Sequence, residues 1–141
     1  MKKNIFRIVL VLLIAGFIDA CQKDSTTDPS VTGTDRDKFL GTWITQSSGT
    51  SGTLNFTMTI AAGASSANQV KIANFDLEGS GAYIFADVSG NSLTISLPPL
   101  NVIGNDTIEG TGTYNSNNTL SFNYTIRNGQ TVDVRTATAH K

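Results

Sequence analysis

The side chains that could catalyse a reaction are few in this chain, and the sequence offers no base to activate a hydroxyl. Serine and threonine are abundant, but a hydroxyl needs a neighbouring base to become a nucleophile. The single histidine is penultimate, at His140. One histidine and one cysteine also leave the usual zinc ligand sets incomplete. We therefore expect a protein that is not an enzyme, with no catalytic residues, no metal site and no cofactor.

Two carboxylate pairs have a spacing that could serve acid/base chemistry or cation binding. Asp76 is close to Glu78 in the sequence, and Asp106 is close to Glu109. Such pairs move protons or bind hard cations when their surroundings shift their pKa values. Both pairs occur among turn residues at the ends of expected strands, where carboxylates are normally solvated. We interpret them as surface groups.

The charge balance argues against nucleic-acid binding. The 141 residues carry 10 lysines and arginines against 11 aspartates and glutamates, a formal net charge of −1. Nucleic-acid binding requires a clustered basic surface, so we expect no nucleic acid among the partners. The length allows one small domain.

Cys21 is informative because of the segment that precedes it. A basic start (residues 1–7) is followed by an unbroken apolar run (residues 8–18) and then by Asp19, Ala20 and Cys21. This order is typical of a secretory signal. A membrane span is the alternative, but crossing a bilayer takes about 20 apolar residues and this run is much shorter.

The end of this signal resembles the lipobox of bacterial lipoproteins. Ile18-Asp19-Ala20-Cys21 has an aliphatic residue three positions before the cysteine and a small residue directly before it. The resemblance implies that residues 1–20 are a lipoprotein signal peptide and that Cys21 is the lipid attachment site. Two or more acyl chains anchor a protein durably, at about 0.8 kcal/mol per buried methylene. The membrane is then a partner through this anchor.

The residues after the cysteine suggest where the anchor is displayed. Gln22-Lys23-Asp24 resembles the Lys/Asp-rich signal that sends Bacteroidetes-type lipoproteins to the outer face of the outer membrane, whereas an ordinary solvated tether is the alternative. Residues 21–35 contain too few apolar side chains to pack, so we expect a flexible tether. The expected localisation is the outer membrane, lipid-anchored, with cell-surface display.

Two short patterns resemble an O-glycosylation site of Bacteroidetes-type secreted proteins. They are Asp24-Ser25-Thr26 and Asp106-Thr107-Ile108. Matches of three residues also arise by chance in a threonine-rich chain. The resemblance makes Ser25 and Thr107 candidate O-glycosylation sites.

Alternating apolar and polar residues predict strands from residue 36 onward. The alternation is clearest over residues 53–61, 93–97 and 120–126. A single helical turn is expected over residues 35–40, with Asp35 as its cap. Five further segments complete a set of eight strands: 41–48, 69–75, 81–88, 106–114 and 131–139.

Turn signals predict that these strands form a meander. Ser89-Gly90-Asn91, residues 115–118 and Asn128-Gly129 are typical hairpin turns. Neighbouring strands are then antiparallel and adjacent. We predict an all-β domain over residues 36–141, an eight-stranded antiparallel up-and-down barrel. A β-sandwich is the alternative.

The start of the first strand and the last strand resemble lipocalins. Gly41-Thr42-Trp43 resembles the G-x-W signature, and Arg135 matches the basic residue that packs over that tryptophan in the family. The resemblance implies that Trp43 and Arg135 plug one end of the barrel; an ordinary core role is the alternative for Trp43. Over residues 36–141 the chain resembles small lipocalin-like lipoproteins of Bacteroidetes type, on residues 39–43, 88–95 and 110–115.

Two functions fit this architecture. The first is an outer-membrane-anchored, non-enzymatic binding module for a small apolar ligand, a sugar or a peptide. The second is a structural or accessory lipoprotein with a filled barrel that docks on a larger outer-membrane assembly. We expect the barrel mouth at the end of residues 98–105, away from Trp43. Large inward residues beside Gly110 and Gly112 favour a filled interior.

Overall fold

Alternating side chains produce nine strands in the computed structural model, which describes residues 34–96, 102–103 and 106–141. A short 3-10 turn, Phe75–Leu77, lies between the third and fourth strands. The strands are β1 (Gly41–Gly49), β2 (Gly52–Ala62), β3 (Gln69–Ala73), β4 (Tyr83–Ser89), β5 (Ser92–Ile95), β6 (Val102–Ile103), β7 (Asp106–Asn115), β8 (Thr119–Asn128) and β9 (Thr131–His140).

The strands form one closed antiparallel meander. Each of β1 to β4 pairs with the next strand along the chain, and so do β7 and β8. Pairing of β5 with β7 and of β1 with β9 closes the sheet into an eight-stranded up-and-down barrel. The two-residue β6 adds to the start of β7. The predicted barrel is confirmed, and the sandwich alternative is excluded.

The predicted strands are all present in the described chain, with small shifts at their ends. β3 stops at Ala73 because Asn74 adopts a left-handed backbone conformation (φ 55°) and leaves the ladder. β6 lies inside the link predicted over residues 98–105. Residues 97–101 and 104–105, including most of the predicted mouth loop, lie outside the described residues. Within the described part of the chain, no helix has the length and apolar character needed to cross a bilayer.

The turn expected over residues 35–40 forms, but Asp35 does not cap it. The Phe39 backbone N–H donates to the Arg36 carbonyl at 2.9 Å, and the Leu40 N–H donates to the Asp37 carbonyl at 3.2 Å. The Asp35 carboxylate instead accepts a hydrogen bond from the Gly90 backbone N–H at 3.1 Å, in the β4–β5 turn. The turn is therefore fastened to the barrel end.

Small residues opposite large ones fill the barrel between β7 and β8. In the strand register Gly110 is opposite Tyr124, and Gly112 is opposite Phe122. A Cβ atom added at Gly112 would lie 2.7 Å from Cε1 of Phe122. The aromatic ring therefore occupies the space that the missing side chain leaves, as close packing requires. Further buried side chains include Met58, Ile60, Val70, Ile72, Ile84, Leu93 and Ile95 from β2 to β5, and Ile108 from β7.

Replacing Gly112 by alanine should destabilise the barrel. The added methyl group overlaps the Phe122 ring, and overpacking of this kind costs about 1–3 kcal/mol. The free energy of unfolding, measured by urea titration, should fall by that amount.

Gly81→Ala is the matched control. A Cβ atom at Gly81 meets no atom within 4 Å, so the change in stability should stay within about 0.5 kcal/mol. Equal losses in the two variants would contradict the packing described between β7 and β8.

Candidate functional site

Trp43 seals the barrel end on which the N-terminal turn lies. β1 directs its side chain inward, where it is fully buried. The indole Nε1–H donates to the Phe39 carbonyl at 2.8 Å, and Tyr114 packs against the indole edge-on at 6.4 Å. The cation over the indole is Lys141, whose Nζ lies 4.5 Å from the ring centroid. The same Nζ donates to the Leu40 carbonyl at 2.6 Å, so Lys141 also binds the turn that precedes β1.

The expectation that Arg135 packs over Trp43 is wrong. In the β1–β9 register Arg135 is opposite Gly49, six positions along β1 from Trp43, a separation of about 20 Å along the strand. A Cβ atom at Gly49 would lie 2.6 Å from the Arg135 Cγ atom, so this glycine makes room for the arginine stem. Arg135 is buried at the opposite end of the barrel.

At that end Arg135 is the centre of a polar cluster. Its guanidinium pairs with the Asp133 carboxylate at 2.7 Å and with the Asp76 carboxylate at 3.3 Å. It also donates to the Ser47 hydroxyl at 2.8 Å and to the Ser51 hydroxyl at 2.6 Å. Two carboxylates and two hydroxyls thus satisfy a cation that the fold has removed from water.

The β3–β4 link folds into the barrel at this end, where an open mouth was expected. Phe75 is fully buried and contacts Phe56, Phe122 and Tyr124 edge-on, with centroid distances of 6.3, 5.5 and 4.8 Å. The next residue, Asp76, is also buried and accepts hydrogen bonds from the Tyr124 and Ser47 hydroxyls. We call residues 74–78 the plug. It closes the barrel end with one aromatic ring and one carboxylate.

The backbone of the plug is strained. Asn74, Asp76 and Leu77 have φ angles of 55°, 54° and 70°, in the left-handed region that costs most L residues about 1–2 kcal/mol each. Asparagine and aspartate tolerate this region better than leucine does. The Asn74 side chain supports the conformation, since it donates to the Thr57 carbonyl at 2.8 Å and accepts from the Gly79 N–H at 2.9 Å. The buried contacts of Phe75 and Asp76 hold the segment against this backbone cost.

The surroundings of the cluster shift the pKa values of two of its members. Burial raises the pKa of the Tyr124 phenol, and its hydrogen bond to Asp76 raises it further. The phenol therefore stays protonated and donates. Hydrogen bonds from Ser51 and then Thr50 lower the pKa of the Asp133 carboxyl below its usual range, with a further contribution from Arg135.

The carboxylates that were all expected on the surface have different surroundings in the structure. Asp76 is buried in the cluster, so its interpretation as a solvated group is wrong; the inward fold of the link is the reason. Glu78 is partly exposed, and burial and then the charges of Asp106 and Asp76 raise its pKa. Glu109 forms an ion pair with Arg127 at 2.9 Å on the outer face of the barrel. Among the described residues, no three or more His, Cys, Asp or Glu side chains are grouped to hold a metal ion.

The candidate modification sites fall in different parts of the chain. Thr107 lies in β7, paired with Val102 of β6 on one side and Arg127 of β8 on the other. Cys21 and Ser25 lie outside the described residues.

Two of the grooves on the described barrel are open to its outer face. One, of about 470 Å³, is lined by outward residues of β7 to β9 (Glu109, Thr111, Asn123, Thr125 and Val134) and reaches inward at Gly110 to Ile95 and Tyr124. The other, of about 260 Å³, crosses β2, β1 and β9 and includes Ile44, Gln46, Asn55, Thr138 and His140 in its lining. Both present hydroxyl and amide groups next to an exposed aliphatic side chain. His140 therefore faces outward, far from the buried hydroxyls of Ser47 and Tyr124.

Sequence reasoning missed the plug and the cation over Trp43. Period-2 alternation in β9 does place Arg135 on the same inward face as Ala137 and Ala139. A buried arginine requires a carboxylate partner. This requirement could have indicated that one of the aspartates or glutamates is buried beside Arg135. The sequence did not indicate which carboxylate would meet it, because Asp76 reaches the barrel from a link rather than from a strand.

Comparison with known proteins identifies the fold class. No family model and no curated protein matches this chain. Among solved structures, a chain described as a redesigned beta barrel (b11L5F_LGL) superposes with a TM-score of 0.53 at 18% identity. The match covers 76% of this chain and 94% of that chain. The likeness shows the fold alone, a small closed β-barrel, and carries no activity with it.

Protonation of the Asp133 carboxylate should make the barrel less stable at acidic pH. Its pKa in the folded protein lies below the ordinary value of 3.8, so the folded state binds fewer protons than the unfolded state just below that pH. The stabilisation is complete above the unfolded pKa and is lost as the pH falls through the folded pKa. Urea midpoints measured from about pH 5 down to about pH 2 should fall with pH, and the fall should be smaller in Asp133→Asn.

Ser51→Ala provides a graded comparison. It removes the hydrogen bond that lowers the Asp133 pKa most and leaves the carboxylate in place. Its pH dependence should lie between those of the wild type and Asp133→Asn. An Asp133→Asn profile as steep as that of the wild type would contradict the assignment.

Proposed function

We propose that this protein is a non-enzymatic, outer-membrane-anchored accessory lipoprotein whose filled barrel docks on a larger outer-membrane assembly. One observation carries the choice between the two functions considered above: the protein's own side chains fill the barrel. Tyr124 and Phe122 occupy the spaces opposite Gly110 and Gly112. Phe75 fills the end where a ligand would enter. With the plug in place, the outer surface is the part of the barrel that is available to other molecules.

The outer surface supports this proposal. Three aliphatic side chains of the β1–β9 region are exposed: Ile44 at 57%, Val132 at 46% and Val134 at 63% of their accessible area. Exposed aliphatic groups surrounded by hydroxyls and amides are common where one protein docks on another. Anchoring at Cys21 would hold this surface close to the membrane, which raises the effective concentration of any membrane-embedded partner.

A binding module for a sugar or a peptide is the second candidate. It is favoured by the larger outer groove, of about 470 Å³. The Asn123 amide and the hydroxyls of Thr111 and Thr125 line this groove together with Glu109, whose carboxylate pairs with Arg127. Such groups match the hydrogen-bonding pattern of a hydrophilic ligand.

Fractionation of cells that carry Cys21→Ser tests the proposed function. The wild-type protein should be found in the outer-membrane fraction, because its acyl chains are buried in lipid. After mild detergent extraction it should migrate on a native gel in a complex well above the 14.9 kDa of the chain. Cys21→Ser should leave the membrane fraction and lose the complex.

Ser25→Ala is the matched control, because it alters the same tether without removing the thiol. It should remain in the membrane and in the complex, and a loss of mass would also reveal a glycan at that position. A wild-type protein that extracts as a lone chain would contradict docking. A Cys21→Ser protein that stays in the membrane would contradict the anchor.

A further inference from the structure

The plug presents two chemical groups to the barrel, and each has its own receptor. The Phe75 ring lies among three aromatic rings, those of Phe56, Phe122 and Tyr124, and is fully buried. Phe56 belongs to β2, and the other two belong to β8. The walls around the ring are therefore strands of the closed barrel, whereas the ring itself comes from a link.

The second group is the Asp76 carboxylate. It accepts hydrogen bonds from the Tyr124 and Ser47 hydroxyls and pairs with the Arg135 guanidinium at 3.3 Å. These three donors stand on β8, β1 and β9, so they also belong to the barrel and not to the link. The aromatic box and the carboxylate receptor meet at Tyr124, which contributes to both.

The receptor would remain intact if the plug withdrew. Arg135 would keep the Asp133 carboxylate at 2.7 Å, the Ser51 hydroxyl at 2.6 Å and the Gly52 carbonyl at 3.2 Å. The cation would therefore stay paired. The freed position would offer a guanidinium, a phenol and a hydroxyl to a new acceptor, next to an apolar space the size of a benzyl group.

The plug carries a backbone cost that a separate molecule would not have. The left-handed backbone conformations of Asn74, Asp76 and Leu77 cost free energy, which the buried contacts of the plug must offset. Leu77 is 50% exposed, so it contributes an apolar side chain to the surface instead of to the core. A molecule that supplies the same ring and the same carboxylate would compete for the buried contacts without the backbone strain.

We propose that the plugged end is a binding site for a small aryl carboxylic acid, occupied in this structure by Phe75 and Asp76 as an internal substitute. The ligand class follows from the substitute: one aromatic ring and one carboxylate joined by a flexible chain of six atoms, as they are in the Phe75-Asp76 dipeptide. The ring enters the box of Phe56, Phe122 and Tyr124, and the carboxylate takes the place of Asp76 on Arg135. This inference goes beyond the proposed docking function and does not depend on it.

Titration of the purified protein with 7-phenylheptanoate, whose ring and carboxylate are also six atoms apart, tests the proposal. Isothermal titration calorimetry should detect binding to the wild type, weakened by competition with the plug. Phe75→Ala removes the competing ring and should bind at least 10-fold more tightly. Gly81→Ala, which adds a methyl group to the same link outside the plug and meets no atom within 4 Å, should bind within 3-fold of the wild type.

A ligand without the carboxylate separates the two receptors. 7-Phenylheptan-1-ol has the same ring and should bind Phe75→Ala at least 10-fold more weakly than 7-phenylheptanoate does. Equal affinities would overturn the assignment of Arg135 as the carboxylate receptor. A Phe75→Ala protein that is folded by circular dichroism but binds no more tightly than the wild type would overturn the site.

Hydrogen exchange in the wild type gives a second test that needs no variant to fold. The Gly79 N–H donates to the Asn74 side chain at 2.9 Å within the plug region. Saturating 7-phenylheptanoate should speed exchange of this amide at least 10-fold and leave the Trp43 backbone amide, at the other barrel end, unchanged. Absence of binding to the wild type, or binding with unchanged Gly79 exchange, would show that the plug does not yield to this ligand class.

Discussion

The buried guanidinium of Arg135 is the constraint on which this end of the barrel depends. A cation with an exposed fraction of 2% is tolerated only when carboxylates and further hydrogen-bond acceptors surround it. Asp133 supplies one carboxylate from the same strand, and Asp76 supplies the second from the β3–β4 link. The pairing of Asp76 with Arg135 holds the link inward, and Phe75 lies inside the barrel with it. The electrostatic requirement of one side chain therefore decides that the barrel is closed at this end.

The opposite end is closed by different means. There the N-terminal turn and the last residue meet over Trp43, with Lys141 donating to the Leu40 carbonyl and lying over the indole. The pairing of β1 with β9 brings the two ends of the domain together, so closure of the sheet and closure of this barrel end have a common cause. The result is a barrel with an aromatic seal at each end and a polar cluster at one of them.

The strands could be predicted because the patterns that indicate them lie within short stretches of the sequence. In β2 and β8 every second residue is apolar, and hairpin turns such as Asn128-Gly129 specify the partner of each strand. The inward position of Arg135 was predictable for the same reason. The partner of Arg135 was not predictable. Whether Arg135 meets Trp43 or Asp76 depends on the register of β1 against β9, and contacts between residues distant in the sequence set that register. The inward turn of residues 74–77 could not be predicted from the sequence either, because non-glycine residues with a left-handed backbone have no reliable sequence signal.

A double-mutant cycle on Asp76 and Arg135 tests the central claim most directly. The free energies of unfolding of the wild type, Asp76→Asn, Arg135→Met and the double variant would be measured by urea titration under one set of conditions. If the ion pair holds the plug in the barrel, the two substitutions are coupled by about 1–3 kcal/mol, as expected for partners in one buried network. If their effects add to within about 0.5 kcal/mol, Asp76 and Arg135 act independently, and the account of how this end of the barrel is closed is wrong.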